Sequence, residues 1–194
     1  TTNKKMLWKR MWSYKDHGKN YDLITKKNSD PGFKWIHDSF GTNWRMTEMQ
    51  AAIGRIQLQK INRWNELRNR NAVFLHKVFS KFPHLIEFNS VPSYINHAYY
   101  RVYAYLTAEA EKNTKLRNAL IDSLISEGIP CFSGSCSEIY KEKAFKNTNY
   151  VPKKDLPNAK ILGNRSIAFL CHPTLSMKDL KIMEEKITKV LSHF

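Results

Sequence analysis

Anion-binding chemistry is concentrated in one short stretch, Gly41-Thr42-Asn43-Trp44-Arg45. It lies just before a segment with helical patterning, where backbone N–H groups, a carboxamide and a guanidinium could converge on a phosphate. The alternative is that Asn43 and Arg45 only order the turn into that helix. The usual glycine-rich phosphate loops are missing, since the chain has no G-x-G-x-x-G, no G-x4-G-K-[ST] and no Gly-Gly pair. Cys131, Cys136 and the Cys171-His172 pair could supply zinc ligands, but the C-x4-C spacing is looser than that of small metal-stapled modules. Cys131 and Cys171 read instead as small core residues on neighbouring strands, with no metal. His17, His97 and His172 could each act as acid or base, yet the spacing shows no triad, and each reads as an ordinary hydrogen-bonding residue.

These groups must be positioned by a chain of 194 residues, 42% hydrophobic and 25% charged, which is enough for one domain with a core. No run approaches the ~18 consecutive apolar residues of a membrane helix. Residues 1–12 mix basic and large apolar side chains without a continuous apolar stretch or a small-residue cleavage site, so no signal peptide is expected. Three cysteines are too few for a disulfide scaffold, which points to a reducing compartment, the cytoplasm. Lys and Arg number 32 against 17 Asp and Glu, a net charge of +15 that favours anionic partners without choosing between nucleic acid, phosphates and anionic lipid. A lysine-rich surface is also a common solvated face.

Along the chain, Asn3 is placed to cap a first helix whose stripe is Leu7, Trp8, Met11 and Trp12, with Gly18 as its left-handed stop. Residues 19–42 read as a long irregular loop, with turn chemistry at Asn28, Ser29, Asp30, Pro31 and Gly32 and aromatics at Tyr21, Phe33, Trp35 and Phe40. Thr47 and Gln50 form a capping box, and Met49, Ile53, Ile56, Ile61, Trp64 and Leu67 extend a long helix to about Phe79. Residues 98–106 (AYYRVYAYL) predict a strand with Tyr100, Val102, Ala104 and Leu106 on its buried face. Thr114 opens a helix ending at Gly128, residues 166–171 form a strand, and Ser176 with Asp179 caps a last helix. The order is a helical first part and a small α+β second part, with a boundary near residues 80–95.

The string GTNWRMTEMQAAIGRIQLQKI, residues 41–61, resembles the stretch G-x-N-Y-R-M-x-x-[IL]-Q-A-A-[IL]-G-x-x-Q-L of the DegT/DnrJ/StrS family of sugar aminotransferases. KKMLWKRMWSYKDHG (4–18), EGIP (127–130) and LPNAKILGNRSIAFLCHPTLS (156–176) follow the family's order and roughly its spacing. The resemblance implies an α/β fold-type I enzyme that depends on pyridoxal 5′-phosphate (PLP), of which this chain is the α+β C-terminal half. Residues 1–80 would be the end of the large cofactor domain, with the active-site loop and the long connecting helix, and residues 81–194 the small C-terminal domain. The chain opens at Thr1-Thr2-Asn3, matching the position just after the family's Schiff-base lysine. No catalytic residue is therefore assigned here, and this truncated chain alone is expected to be inactive.

By resemblance, Asn43 would hydrogen-bond the phosphate of the partner subunit's PLP, and Arg45 would assist with phosphate or nucleotide-sugar contacts. Trp44 stands where tyrosine is commoner, keeping a flat wall but losing a hydroxyl. Residues 132–145 (FSGSCSEIYKEKAF) occupy the place of a substrate-touching loop, so Ser133, Ser135 and Tyr140 become substrate candidates, although a capped turn before a short helix explains them equally well. His172 is a further pocket candidate. The implied protein is a cytoplasmic homodimer that moves an amino group from an amino acid, glutamate by resemblance, to a nucleotide-linked keto-sugar for surface polysaccharide, lipopolysaccharide or O-antigen synthesis. It needs neither nucleic acid nor a membrane. The alternatives are a catalytically dead or regulatory homologue, or a basic nucleic-acid-binding module.

Overall fold

The computed structural model describes residues 1–26 and 35–194. The turn residues Asn28 to Gly32, and Phe33, lie outside the described residues. The chain forms two compact units, Thr1–Gln59 and Lys60–Phe194.

The first unit opens with helix α1, Lys5–Lys15. Asn3 does not cap it: Lys4 takes the cap position, and its N–H donates to Thr2 Oγ1 at 3.2 Å, because the helix starts one residue later than an Asn3 cap requires. Inside the expected loop lies a short helix α2, Tyr21–Thr25, capped by Asn20, whose Oδ1 accepts from the N–H groups of Asp22 at 2.9 Å and Leu23 at 3.1 Å. That cap turns Tyr21 back onto α1, where Trp8 and Trp12 meet it edge-on at 4.7 and 5.1 Å. The α1 stripe thus finds part of its partner surface locally.

Two glycines set the path of the chain after α1. Gly18 has φ +83°, and a Cβ there would sit 1.7 Å from the Ser39 carbonyl oxygen; a Cβ on Gly41 would sit 2.3 Å from Gly18 N. Only two bare backbones can pass this closely. Their approach brings residues 42–44 onto the end of α1, where helix carbonyls lack partners of their own. Thr42 N–H donates to Tyr14 O at 2.7 Å and Trp44 N–H to Lys15 O at 3.0 Å, while His17 N–H donates to Thr42 O at 3.0 Å.

Helix α3, Glu48–Phe79, then begins at the expected capping box: Thr47 N–H donates to Gln50 Oε1 at 2.9 Å and Gln50 N–H to Thr47 Oγ1 at 3.3 Å. In its first part Met49, Ile53 and Ile56 are exposed. Its last turns belong to the second unit, where Ala72, Leu75, Val78 and Phe79 are buried.

The second unit is built on an antiparallel sheet of β1 (Ile86–Glu87), β2 (Val102–Leu106), β3 (Cys131–Phe132) and β4 (Ser166–Phe169), in the order β1-β2-β4-β3. Val102, Ala104 and Leu106 face the core as their alternation predicts. Tyr100 does not, because the strand starts after it, and the residue is 77% exposed. After β2 come α4, Ala108–Glu111, and α5, Leu116–Ser126. Lys115, not Thr114, precedes α5 as its cap, because α4 and the turn after it carry the chain past Thr114. Gly128, at φ +80°, closes α5 as expected, with Ile129 N–H donating to Leu124 O at 2.9 Å. Helix α6, Pro157–Arg165, leads into β4, and α7, Met177–Leu191, carries the expected Ser176–Asp179 capping box. Leu120 and Leu124 of α5, Leu180 and Ile187 of α7 and the Phe79–Phe169 ring pair, 4.6 Å apart, fill the core. Cys131 on β3 and Cys171 just beyond β4 are buried in it, and burial pushes both thiols up to about 11.

Candidate functional site

The turn singled out by its residue types is an exposed ledge fastened to α1. Asn43 pairs with Asp16 in an isolated antiparallel bridge, and the flanking backbone bonds to Tyr14 and Lys15 hold it extended. Its Oδ1 accepts from Arg45 N–H at 3.3 Å and Arg45 Nε–H at 3.4 Å. The carboxamide oxygen is therefore occupied, and the Nδ2 donor is the end left for an anion.

Arg45 is in turn held by Asp16, whose Oδ1 lies 3.7 Å from Arg45 Nε and accepts from Lys19 Nζ at 3.2 Å. Burial raises the Asp16 carboxyl, but the Lys19 hydrogen bond and the charges of Arg45, Lys19 and Lys15 outweigh it and hold the group below the usual carboxylate range. The result is an ionised, buried carboxylate under a cationic surface. Asp16 was missed in the sequence because nothing local marks it: its partner Arg45 is brought to it only by the crossing of Gly18 and Gly41. Trp44 stands against Tyr14, ring centroids 5.4 Å apart and edge-on, and with Trp8, Met11, Phe40 and Lys15 it lines an open cleft of about 810 Å³. Its wall is flat and apolar with a basic rim.

The remaining candidates lie in the second unit and do not form one cluster. Gly134, at φ +94°, packs close to Tyr103 and Ser166, and this places Ser135 Oγ 2.8 Å from the Tyr103 hydroxyl. Ser133 contributes its carbonyl, which accepts from Ser166 Oγ at 2.7 Å, a structural tie between the loop and β4. Tyr140 is also tied: its hydroxyl donates to Glu138 at 2.7 Å and accepts from Leu156 N–H at 3.2 Å, which joins the loop to the start of α6. His172 Nδ1 accepts from Thr174 N–H at 3.3 Å and lies 2.7 Å from Thr174 Oγ1, while its carbonyl accepts from the fully buried Asn71 side chain at 2.8 Å. Among the described residues, no hydrogen bond links Ser135, Tyr140 and His172 to one another. Tyr103 is the partner that residue types alone did not single out, although its outward place in the β2 alternation was readable.

Residues 1–188 match the DegT/DnrJ/EryC1/StrS aminotransferase family. The chain belongs to that family. Among curated proteins it is 29% identical over 191 residues to GDP-perosamine synthase of Escherichia coli O157:H7, covering 98% of this chain and 46% of that protein. Among solved structures, the aminotransferase from Psychrobacter cryohalolentis shares 40% identity at a TM-score of 0.83, over 100% of this chain and 51% of that one. The E. coli GDP-4-keto-6-deoxy-D-mannose-3-dehydratase, solved with bound hydrated PLP, has the same fold at 22% identity and a TM-score of 0.73, over 96% and 49% of the two chains. The chain thus spans about half the length of these relatives. The family match takes in both the ledge and the sheet domain, so each group of candidate residues falls within it.

Proposed function

We propose that the whole protein is a PLP-dependent aminotransferase that transfers an amino group from an amino acid, glutamate, to a nucleotide-linked keto-sugar, acting as a cytoplasmic homodimer in surface polysaccharide or lipopolysaccharide synthesis. The observation that carries this reading is the ledge itself: the family's G-x-N-x-R stretch is held extended on α1, with the Asn43 oxygen occupied and its amine left to donate. In this reading residues 1–80 complete the large cofactor domain and residues 81–194 form the small domain.

The residues present fit the phosphate end of the cofactor. An exposed carboxamide donor beside a guanidinium, over an ionised carboxylate that keeps the guanidinium in place, is a donor set suited to a phosphate oxyanion. Asn43 would donate to the phosphate of the partner subunit's PLP. When bound, PLP supplies the carrier for the amino group and the electron sink for the carbon it leaves. Arg45 contributes positive charge next to that phosphate or the substrate's own, and Trp44 contributes a wall that excludes water from one side. Ser135 offers a hydroxyl to the sugar or its diphosphate, and Ser133, Tyr140 and His172 contribute by shaping the loops around it. The exposed stripe of Met49, Ile53 and Ile56, with Phe40 and Trp44, is a larger apolar surface than a solvated helix needs, and a homodimer contact would cover it.

The test is transfer of labelled nitrogen from glutamate to a nucleotide-linked keto-sugar by the whole protein with PLP, alongside its Asn43→Ala variant. Removing one hydrogen bond to a charged group weakens cofactor retention about tenfold. PLP affinity unchanged in the variant would remove Asn43 from the site, and no labelled amino-sugar with any nucleotide-linked keto-sugar would reject the activity.

A further inference from the structure

The loop that follows β3 is seated on the junction where α6 runs into β4. Ser166 Oγ donates to Ser133 O at 2.7 Å, Gly134 packs against Ser166 and Tyr103, and Ser137 lies so near Gly163 that a Cβ on that glycine would sit 2.0 Å from Ser137 Oγ. Only a bare Cα lets the loop come this close. Seated in this way, the loop carries Ser135 Oγ to 2.8 Å from the Tyr103 hydroxyl. Where the loop stands is therefore set by where the last turn of α6 stands.

That turn is gripped from α5. The end of a helix leaves carbonyls without partners in the helix, and its partial negative charge favours a cation. Ser166 N–H closes on Leu162 O, and the next carbonyl, Gly163 O, accepts from Arg117 Nη1–H at 2.6 Å. Arg117 Nε and Nη2 both donate to Asn118 Oδ1 at 3.2 Å, which fixes the plane of the guanidinium and leaves Nη1 for α6. Among the described residues no carboxylate pairs with Arg117, so its short bond is the one to the helix end. Gly163 thus joins two contacts: its oxygen is held by Arg117, and Ser137 fills the space its missing side chain leaves. On the other side the helix end is tied to the sheet by Arg165, whose Nε donates to Leu106 O at 2.5 Å and whose Nη2 pairs with Glu87. Losing the Arg117 bond would therefore free the Gly163 side of the turn without detaching α6.

We propose that Arg117 is a positioning residue for the loop of residues 133–137: by holding Gly163 it fixes the seat of the loop, and so lowers the ordering cost of binding the nucleotide-linked keto-sugar. This rests on the nucleotide-sugar reading above for the ligand that the loop meets. Arg117 itself touches no ligand; it acts through Gly163 and Ser137. Because the loop is assigned to the sugar or its diphosphate, the reaction with the amino-acid donor should not depend on it.

The experiment compares the whole protein with its Arg117→Met, Arg117→Lys and Gly163→Ala variants. Methionine keeps an apolar stem and loses every donor, lysine keeps a charged donor of similar reach, and alanine keeps Arg117 but puts a Cβ where Ser137 lies. A nitroxide on the exposed Cys136 reports the mobility of the loop by electron paramagnetic resonance, with labelled Cys136→Ser protein as the background to subtract. Sharper, more mobile lines are expected in Arg117→Met and Gly163→Ala, and lines close to the parent's in Arg117→Lys. On unlabelled protein, Arg117→Met should raise KM for the nucleotide-linked keto-sugar about tenfold and leave the half-reaction with glutamate unchanged, with lysine restoring most of the loss. Parent-like nitroxide lines in folded Arg117→Met or Gly163→Ala protein, no recovery with lysine, or KM values for keto-sugar and glutamate that rise together would each overturn the proposal. If the parent aminates no nucleotide-linked keto-sugar, the aminotransferase reading fails, while the nitroxide lines still decide whether Arg117 holds the loop.

Discussion

Replacing Gly41 with alanine places a methyl group where the nearest atoms are all backbone: Gly18 N at 2.3 Å, Tyr14 O at 2.7 Å and the His17 carbonyl carbon at 2.8 Å. No side chain can swing away to make room, so the crossing of the two segments must open. The three bonds that join it, Thr42 N–H to Tyr14 O, Trp44 N–H to Lys15 O and His17 N–H to Thr42 O, are those that hold the ledge to α1. Each backbone bond contributes about 0.5–1.5 kcal/mol net, so losing two of them raises the free energy of the closed ledge by about 1–3 kcal/mol. That is a roughly 5- to 150-fold rise in the open population. Native-state hydrogen exchange measured at the Thr42 and Trp44 amides should accelerate by that factor, while amides of the sheet domain such as Ala104 keep their protection. Gly54→Ala is the control, because a Cβ there meets nothing within 4 Å and the change should stabilise α3 by up to about 1 kcal/mol. Unchanged exchange at Thr42 and Trp44 in Gly41→Ala would refute the argument that the ledge depends on two bare backbones crossing.

Three further outcomes follow from the packing and charge of the molecule. Asn71→Ala removes the fully buried amide that bonds the His172 carbonyl at 2.8 Å and accepts from Arg70 Nε at 3.0 Å, and should lower stability by about 2–3 kcal/mol, read as a shift in denaturant midpoint at constant slope. Thiol labelling followed by intact mass should modify the exposed Cys136 first at neutral pH, with Cys131 and Cys171 protected until the chain unfolds, since both are buried with thiols pushed to about 11; simultaneous labelling of all three would contradict their core placement. The carboxyl of Asp16 is held below its ordinary value of 3.8, so its contribution to stability is fully present above that pH and is lost as pH falls through the lower folded value. Asp16→Asn should therefore flatten the acid limb of the stability profile of the first unit, and an unchanged limb would show that Lys19 and Arg45 do not act through it.

What the sequence determined by itself is what is encoded over three or four consecutive residues or in a whole recurring string. The Thr47–Gln50 and Ser176–Asp179 capping boxes, the left-handed stop at Gly128 and the inward alternation of Val102, Ala104 and Leu106 were legible because donor, acceptor and periodicity lie within one turn or one strand, whereas α1 takes its left-handed turn at His17, at φ +61°, one residue before the expected Gly18. The family string of residues 41–61 made the ledge legible in the same way. Caps that depend on where a helix starts were not: Asn3 and Thr114 had the right chemistry, but the neighbouring chain placed Lys4 and Lys115 at the caps instead. Asn20, with equally ordinary chemistry, became the cap of a helix that no periodicity announced. Only tertiary structure could decide that Asp16 anchors Arg45, that Tyr103 meets Ser135 and that Arg101 is left with a buried, unpartnered donor. Those pairings join residues about thirty positions apart, and their geometry is set by a backbone crossing and a sheet register, quantities that no local stretch of side chains contains.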